Sequence, residues 1–207
     1  MAIYQDLYQF SSYVPVIDLS FNQYLLKVSD PILFHTGNIQ QAAELLPRLE
    51  ELLGDQELRY VFVSHFEADE CGGLPLILDK YPKAVTMCPP VTARQFSGFG
   101  FDYEVLATNP TDKLSSVDYE LEFISYPSEM HLWEGLLVME KQRGIFFSSD
   151  LMIRRGRAGG DVLDSNWKAE VQAISKEQVP DAERLAQLQK DLGQLSPGFV
   201  ATGHGPC

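Results

Sequence analysis

The sequence predicts an α/β fold in which two halves, each containing strand–helix–strand units, face each other across a shared cleft. Three observations carry this. Residues 58–64 (LRYVFVS) are a nearly continuous β-branched and aromatic run, as in a strand buried on both faces of a layered domain. A helix at 74–80, a strand at 84–88 and a helix at 91–96 follow it, giving a βαβα order. The second half changes character, with strands at 119–125, 136–140 and 144–148, then an amphipathic helix and a final strand at 198–201.

The elements follow in order. Residues 21–28 and 32–35 form two short antiparallel strands around a Ser29-Asp30-Pro31 turn. Ile39, Ala42, Leu45, Leu46, Leu49, Leu52 and Leu53 recur at helical spacing. Pro47 within that run predicts a kink or a late helix start, and Gly54-Asp55 an end. A Pro89-Pro90 turn leads into the helix at 91–96, and RRGRAGG (154–160) sits in a looser stretch. Leu185, Leu188, Leu192 and Leu195 line one face of the last helix.

Composition bounds the function. The chain has 207 residues, 45% of them hydrophobic and 11% aromatic, enough to bury a core as an ordered domain. A net charge of -13 argues against nucleic acid and anionic membrane surfaces as partners, because the summed field repels a polyanion. No run approaches the roughly 20 apolar residues of a membrane span, and MAIYQDLYQF has neither the basic nor the apolar region of a signal peptide. The expected location is cytoplasmic. Cys71, Cys88 and Cys207 are odd in number and lack CxxC spacing, so ordinary reduced thiols are expected.

The segment His65-Phe66-Glu67-Ala68-Asp69-Glu70 places a histidine, a glutamate and an aspartate at alternate positions just past a strand. An extended backbone there puts all three side chains on one side. Imidazole with carboxylates is a transition-metal donor set, and an oxygen-rich one suits iron or manganese. A charged loop after a strand is equally a solvated turn, and these residues alone leave both readings open. His131, Asp150 and His204 change the balance, since each follows a predicted strand, where layered α/β domains place their sites. Separately they are a loop histidine, a turn or cap residue and a surface histidine between glycines. Jointly that account requires four independent coincidences.

RYVFVSHFEADECGGLPLILDKYPKAVTMCP (59–89) resembles the metal-binding segment of the flavodiiron proteins, with its H-x-E-x-D pattern. MHLWEG (130–135), IFFSSD (145–150) and FVATGHGP (199–206) are similar to that family's histidine-plus-tryptophan, bridging-aspartate and last-histidine segments. Order and gaps match, with 18 residues between His131 and Asp150, and the resemblance covers nearly the whole chain from the 22–37 hairpin onward. It implies a metallo-β-lactamase-like αββα sandwich, a single diiron domain over 1–207, and a pair of iron ions, oxo- or hydroxo-bridged. One iron would be held by His65, Glu67 and His131, the other by Asp69 and His204, with Asp150 bridging. Two positions depart from the pattern. Glu70 stands where the family usually has histidine, and His35-Thr36-Gly37 where many metallo-β-lactamase-type folds carry the D of a DTG turn. Glu70 is then a ligand, turned away with a water in its place, or a tuning group outside the ligand set. The role of His35 is open.

The resemblance further implies binding or reduction of dioxygen or nitric oxide. Flavodiiron proteins receive electrons through FMN in a flavodoxin-like domain that follows the metal domain, whereas this sequence runs three residues past His204. The expectation is a chain similar to the stand-alone oxygen-binding diiron relatives, without FMN of its own, with an external electron donor or, for a sensor, a signalling partner. A homodimer is open. Hydrolytic relatives resemble H-x-H-x-D-H, whose neutral imidazoles leave zinc strongly Lewis-acidic. Here Glu67, Asp69 and Asp150 supply three negative charges, and Glu70 a fourth if it binds. Anionic oxygen donors stabilise ferric iron and weaken Lewis acidity, which disfavours a dinuclear zinc hydrolase. A gas sensor and a metal-free or zinc-bearing structural relic are the other readings. Arg154, Arg155 and Arg157 are either a solvated loop or a docking patch for an acidic donor. Phe66, Tyr126 and Trp133 either line an apolar gas pocket or pack in the core, and Cys71 is read as a small helix-start residue.

Overall fold

The computed structural model describes residues 2–128, 133–160 and 162–207, with 127, 128, 133 and 134 described by backbone alone. Two sheets lie face to face. The first contains, in spatial order, β1 (Leu7–Val14), β2 (Leu19–Leu26), β3 (Ile32–Phe34), β4 (Tyr60–Phe62), β5 (Val85–Cys88) and β6 (Val105–Ala107). Its first three strands are antiparallel neighbours, and β3 to β6 run parallel. The second sheet runs from β7 (Lys113–Ser115) through β8 (Glu120–Ser128), β9 (Trp133–Glu140) and β10 (Ile145–Ser149) to β11 (Phe199–Thr202). Only its β10–β11 pair is parallel.

Side-chain alternation divides the apolar residues into three layers. Ile32, Phe34 and Phe62 of the first sheet meet Leu136, Val138, Ile145, Phe147 and Ala201 of the second. Leu33, Val61 and Val63 point the other way, under α1 (Ile39–Leu53), α3 (Leu74–Lys80) and α4 (Pro90–Gly98). Leu137, Met139 and Phe146 are covered by α5 (Trp167–Ala173) and α6 (Ala182–Leu192). The layers are therefore α, β, β, α, as expected. Among the described residues no helix is long and apolar enough to cross a membrane.

Several local expectations are corrected. α1 starts at Ile39 and continues through Pro47. Asn38 caps it in a box with Gln41, and Ala42, Leu45, Leu49 and Leu53 bury one face, so packing holds the helix while Pro47 sits on the exposed side. β1 went unanticipated because only Leu7 and Phe10 of its residues are buried, leaving no clear alternation. β6 and β7 are three-residue strands with mostly exposed side chains, and α5 buries only Val171.

Candidate metal centre

The loops after β3, β4, β10 and β11 converge at one end of the sandwich. β4 ends at Phe62, and the chain bends through residues 64–66 before Glu67, which is extended (φ -133°, ψ 163°). It then turns into a short helix, α2 (Ala68–Cys71), so strand alternation does not set these side chains, and Asp69 and Glu70 reach the centre from a helical turn. That turn is tied to the one after β3. Thr36 N donates to Glu70 O at 2.8 Å, and Gly73 N donates to Gly37 O at 2.8 Å. Gly73 is required there, because a Cβ would lie 2.2 Å from Ala42 Cβ. His204 is set by a tight turn after β11. Asn22 Nδ2 donates to Thr202 O (3.0 Å) and Gly205 O (2.8 Å), and Gly203 N donates to Ser149 O at 3.0 Å. Gly205 has φ +81°, and a Cβ would collide with Arg154 O at 1.8 Å.

The structure thereby brings together His65, Glu67, Asp69, Glu70, Asp150 and His204. His65 Nε2 lies 3.4 Å from Glu67 Oε2, 3.7 Å from Glu70 Oε2 and 3.2 Å from Asp150 Oδ2. His204 Nε2 lies 3.1 Å from Asp150 Oδ1 and 3.6 Å from Asp69 Oδ2. Two donor groups result, His65–Glu67–Glu70 and Asp69–Glu70–His204, with potential ligand atoms in each within 4.8 Å of one another. Glu70 is common to both. His131 lies outside the described residues.

The electrostatics are those of a site short of positive charge. Burial raises the Glu70 carboxyl well above its ordinary value, and Asp150, Asp69 and Glu67 push the same way against His65. Burial disfavours a charged His65, yet Glu70, Asp150 and Glu67 outweigh it and hold its pKa well above the usual imidazole range. His204 is raised for the same kind of reason, mainly by Asp150 against burial. Burial also opposes ionisation of Asp150, but the hydrogen bonds and charges of His204 and His65 drive it far below the usual carboxylate range. The raised imidazoles and the depressed Asp150 share one cause, an excess of buried carboxylate at this end of the sandwich. Glu70 Oε2 is buried without a hydrogen-bond partner among the described residues, a costly state that a bound cation relieves.

Sequence reasoning passed over two serines. Ser64 Oγ lies 2.9 Å from His65 Nδ1, which leaves Nε2 facing the carboxylates, and Ser149 Oγ lies 2.8 Å from Ser64 Oγ. Serines next to strand ends carry no sequence signal for this. His35 follows β3 with a left-handed backbone (φ +62°) and is buried; burial, then the charge of nearby His65, lowers its pKa to about 3. Tyr126 meets the His65 ring edge-on at 6.3 Å, whereas Phe66 packs on Phe96 and Phe99. The Trp133 side chain lies outside the described residues. Cys71 is buried, its Sγ donating to Glu67 O at 3.0 Å. Each arginine of the 154–157 loop has a partner within the chain: Glu170 for Arg154, Ile17 O for Arg155 and the Tyr13 ring for Arg157.

Comparison with known proteins gives a consistent picture. The profile of a family described as ODP family beta lactamase matches residues 19–205. The chain is 23% identical over 199 residues to a nitric oxide reductase of Moorella thermoacetica, covering 90% of this chain and 49% of that protein. A metal-soaked flavodiiron core from Synechocystis superposes on 100% of this chain and 56% of its own, with TM-score 0.79 and 19% identity. Rubredoxin oxygen:oxidoreductase from Desulfovibrio gigas does so with TM-score 0.79 and 16% identity, again over 100% of this chain and 56% of that one. The chain spans between 33% and 49% of the length of the curated relatives it matches.

Proposed function

The chain belongs to the ODP beta-lactamase family, and from that premise we propose that it is a diiron protein that binds or reduces dioxygen or nitric oxide with electrons from a separate donor. The observation that carries this reading is the Asp150 carboxylate, which presents Oδ2 to His65 Nε2 at 3.2 Å and Oδ1 to His204 Nε2 at 3.1 Å. One oxygen toward each donor cluster is what a bridging ligand requires. The residues fit such a centre: imidazoles and carboxylates in two groups that share Glu70, whose buried Oε2 has no hydrogen-bond partner among the described residues.

On this reading His65, Glu67 and His131 would hold one iron and Asp69 and His204 the second, with Asp150 and Glu70 as carboxylates available to either. When bound, the irons supply electrons and open positions for a diatomic gas. The chain's own contribution is to orient and to tune. Ser64 fixes which His65 nitrogen faces the ions, and the edge of Tyr126 limits the tilt of that ring. The anionic oxygens favour the ferric state over water activation. Names of the similar proteins, a nitric oxide reductase and a rubredoxin oxygen:oxidoreductase, support reduction of these gases. Residues 1–207 act as one domain in this proposal, and the donor shares the cytoplasm with it.

The test is anaerobic reconstitution with ferrous iron followed by elemental analysis, then admission of oxygen with an artificial reductant. Close to two irons per chain and repeated turnover are expected. A long-lived coloured species without turnover would move the assignment to a gas sensor. Stoichiometric zinc from cells given both metals would move it to a hydrolase.

A further inference from the structure

We propose that a small cavity between the two sheets, directly behind the metal centre, is a holding site for one neutral diatomic molecule, dioxygen or nitric oxide. The choice of guest rests on the function proposed above; the cavity does not. Its walls are the rings of Phe34, Phe62 and Phe147 with Leu136, and Ala201 closes one side. Phe34 and Phe147 stack across the sheets with centroids 3.6 Å apart, making a rigid floor. The space open to the centre of a water-sized molecule is about 10 Å³, at the lower end of what a single small molecule needs.

The cavity adjoins the centre through the chain itself. Ser149, on its rim, precedes Asp150, and Gly203, also on its rim, precedes His204. Ser149 Oγ is joined through Ser64 Oγ to His65 Nδ1, by contacts of 2.8 and 2.9 Å. A molecule held here is therefore one residue along the chain from Asp150 and His204, and two hydroxyls away from His65.

Polar groups decide the guest. The Tyr24 hydroxyl donates to Thr202 O at 2.7 Å, and Ser149 Oγ is committed to Ser64. His35 remains: it is 8% exposed, lines the cavity, and its ring nitrogens have no hydrogen-bond partner among the described residues. Its left-handed backbone (φ +62°) is held by donation of its N–H to Phe62 O at 2.8 Å, which fixes the imidazole at the rim. An ordered water needs two to four polar partners, and with the Tyr24 and Ser149 hydroxyls each already engaged elsewhere a water here would lean mainly on His35. A weakly polar diatomic meets aromatic faces on most sides and needs at most one hydrogen bond.

Xenon tests the cavity without iron. Crystals of the metal-free chain under xenon pressure should show one atom against Phe34 and Phe147, and xenon NMR should show one binding site in solution. Ala201→Leu, which fills the space, should abolish both signals, with Ala201→Val as the milder variant should leucine prevent folding. In the iron-loaded chain the filling variant should keep its iron and oxidise several-fold more slowly at low oxygen. An empty cavity under xenon, or a fully ordered water there, overturns the inference. Iron binding with no xenon site defeats only this inference; xenon binding in a chain that takes no iron leaves the cavity standing and defeats the proposed function together with the choice of guest.

Discussion

Glu70 is where the redox character of the proposed centre turns. It stands where the flavodiiron resemblance leads one to expect a histidine, it is 2% exposed, and its carboxylate faces His65 rather than solvent. As a ligand it adds one negative charge to the set, favouring ferric iron and lowering the reduction potential. Glu70→His should then raise the midpoint potential and slow oxidation of the diferrous form by oxygen. Glu70→Ala should also shift the potential upward and weaken metal binding, because it removes a donor available to both clusters. Voltammetry or a redox titration of the three proteins gives the answer, and indistinguishable potentials would end the idea that Glu70 tunes the centre. At this scale the sequence singled out His65, Glu67, Asp150 and His204 by their chemistry, and the fold brings these side chains together. It was silent on Ser64 and Ser149, since a serine in a strand has many uses and only the fold aligns two hydroxyls behind one imidazole.

Elements position those residues, and their fit is tight where α1 meets the start of α3. Gly73 has Ala42 Cβ in the place its own Cβ would need, at 2.2 Å, while its N–H serves the turn after β3. Gly73→Ala should therefore force α1 and the α2 turn apart, costing about 1–3 kcal/mol as overpacked sites do. Urea denaturation should show the loss as a lower midpoint with an unchanged slope. Wild-type stability in that variant would mean that the two helices have slack the structure does not show. Leucine spacing made α1 readable, but Pro47 did not delay its start, because burial of Leu45, Leu49 and Leu53 outweighs one missing hydrogen bond on an exposed face. The H-x-E-x-D segment was expected to run extended, but the chain bends at residues 64–66 and of the motif only Glu67 has extended dihedrals before α2 begins. Beyond it, tertiary contacts from Thr36 and Gly37 favour a helical turn, and no local pattern announces them.

At the scale of the molecule, the donors are divided between the two sheets: His65 through Glu70 follow β4, while Asp150 and His204 follow β10 and β11. Metal bound by both groups joins the sheets, so only the folded chain binds well. The loaded protein should melt at higher temperature than the metal-free one, by an amount that grows with free metal, about 2.7 kcal/mol at one hundred times the dissociation constant. Calorimetry with ferrous iron and with a chelator measures this. Equal melting temperatures would show that the donors do not act across the two sheets. This division was visible in advance, because motifs at successive strand ends can meet only if the sheets face each other. The short strands β6 and β7 were not, since three exposed residues leave no periodicity to read.

That division also sets a clock. On the ribosome the segment from His65 to Glu70 is made well before Asp150, and His204 comes 54 residues later still. If the chain takes up metal as proposed, the segment made first offers only part of the donor set, and a complete site would exist only once β10 and β11 have docked, so the metal would be chosen late, during maturation.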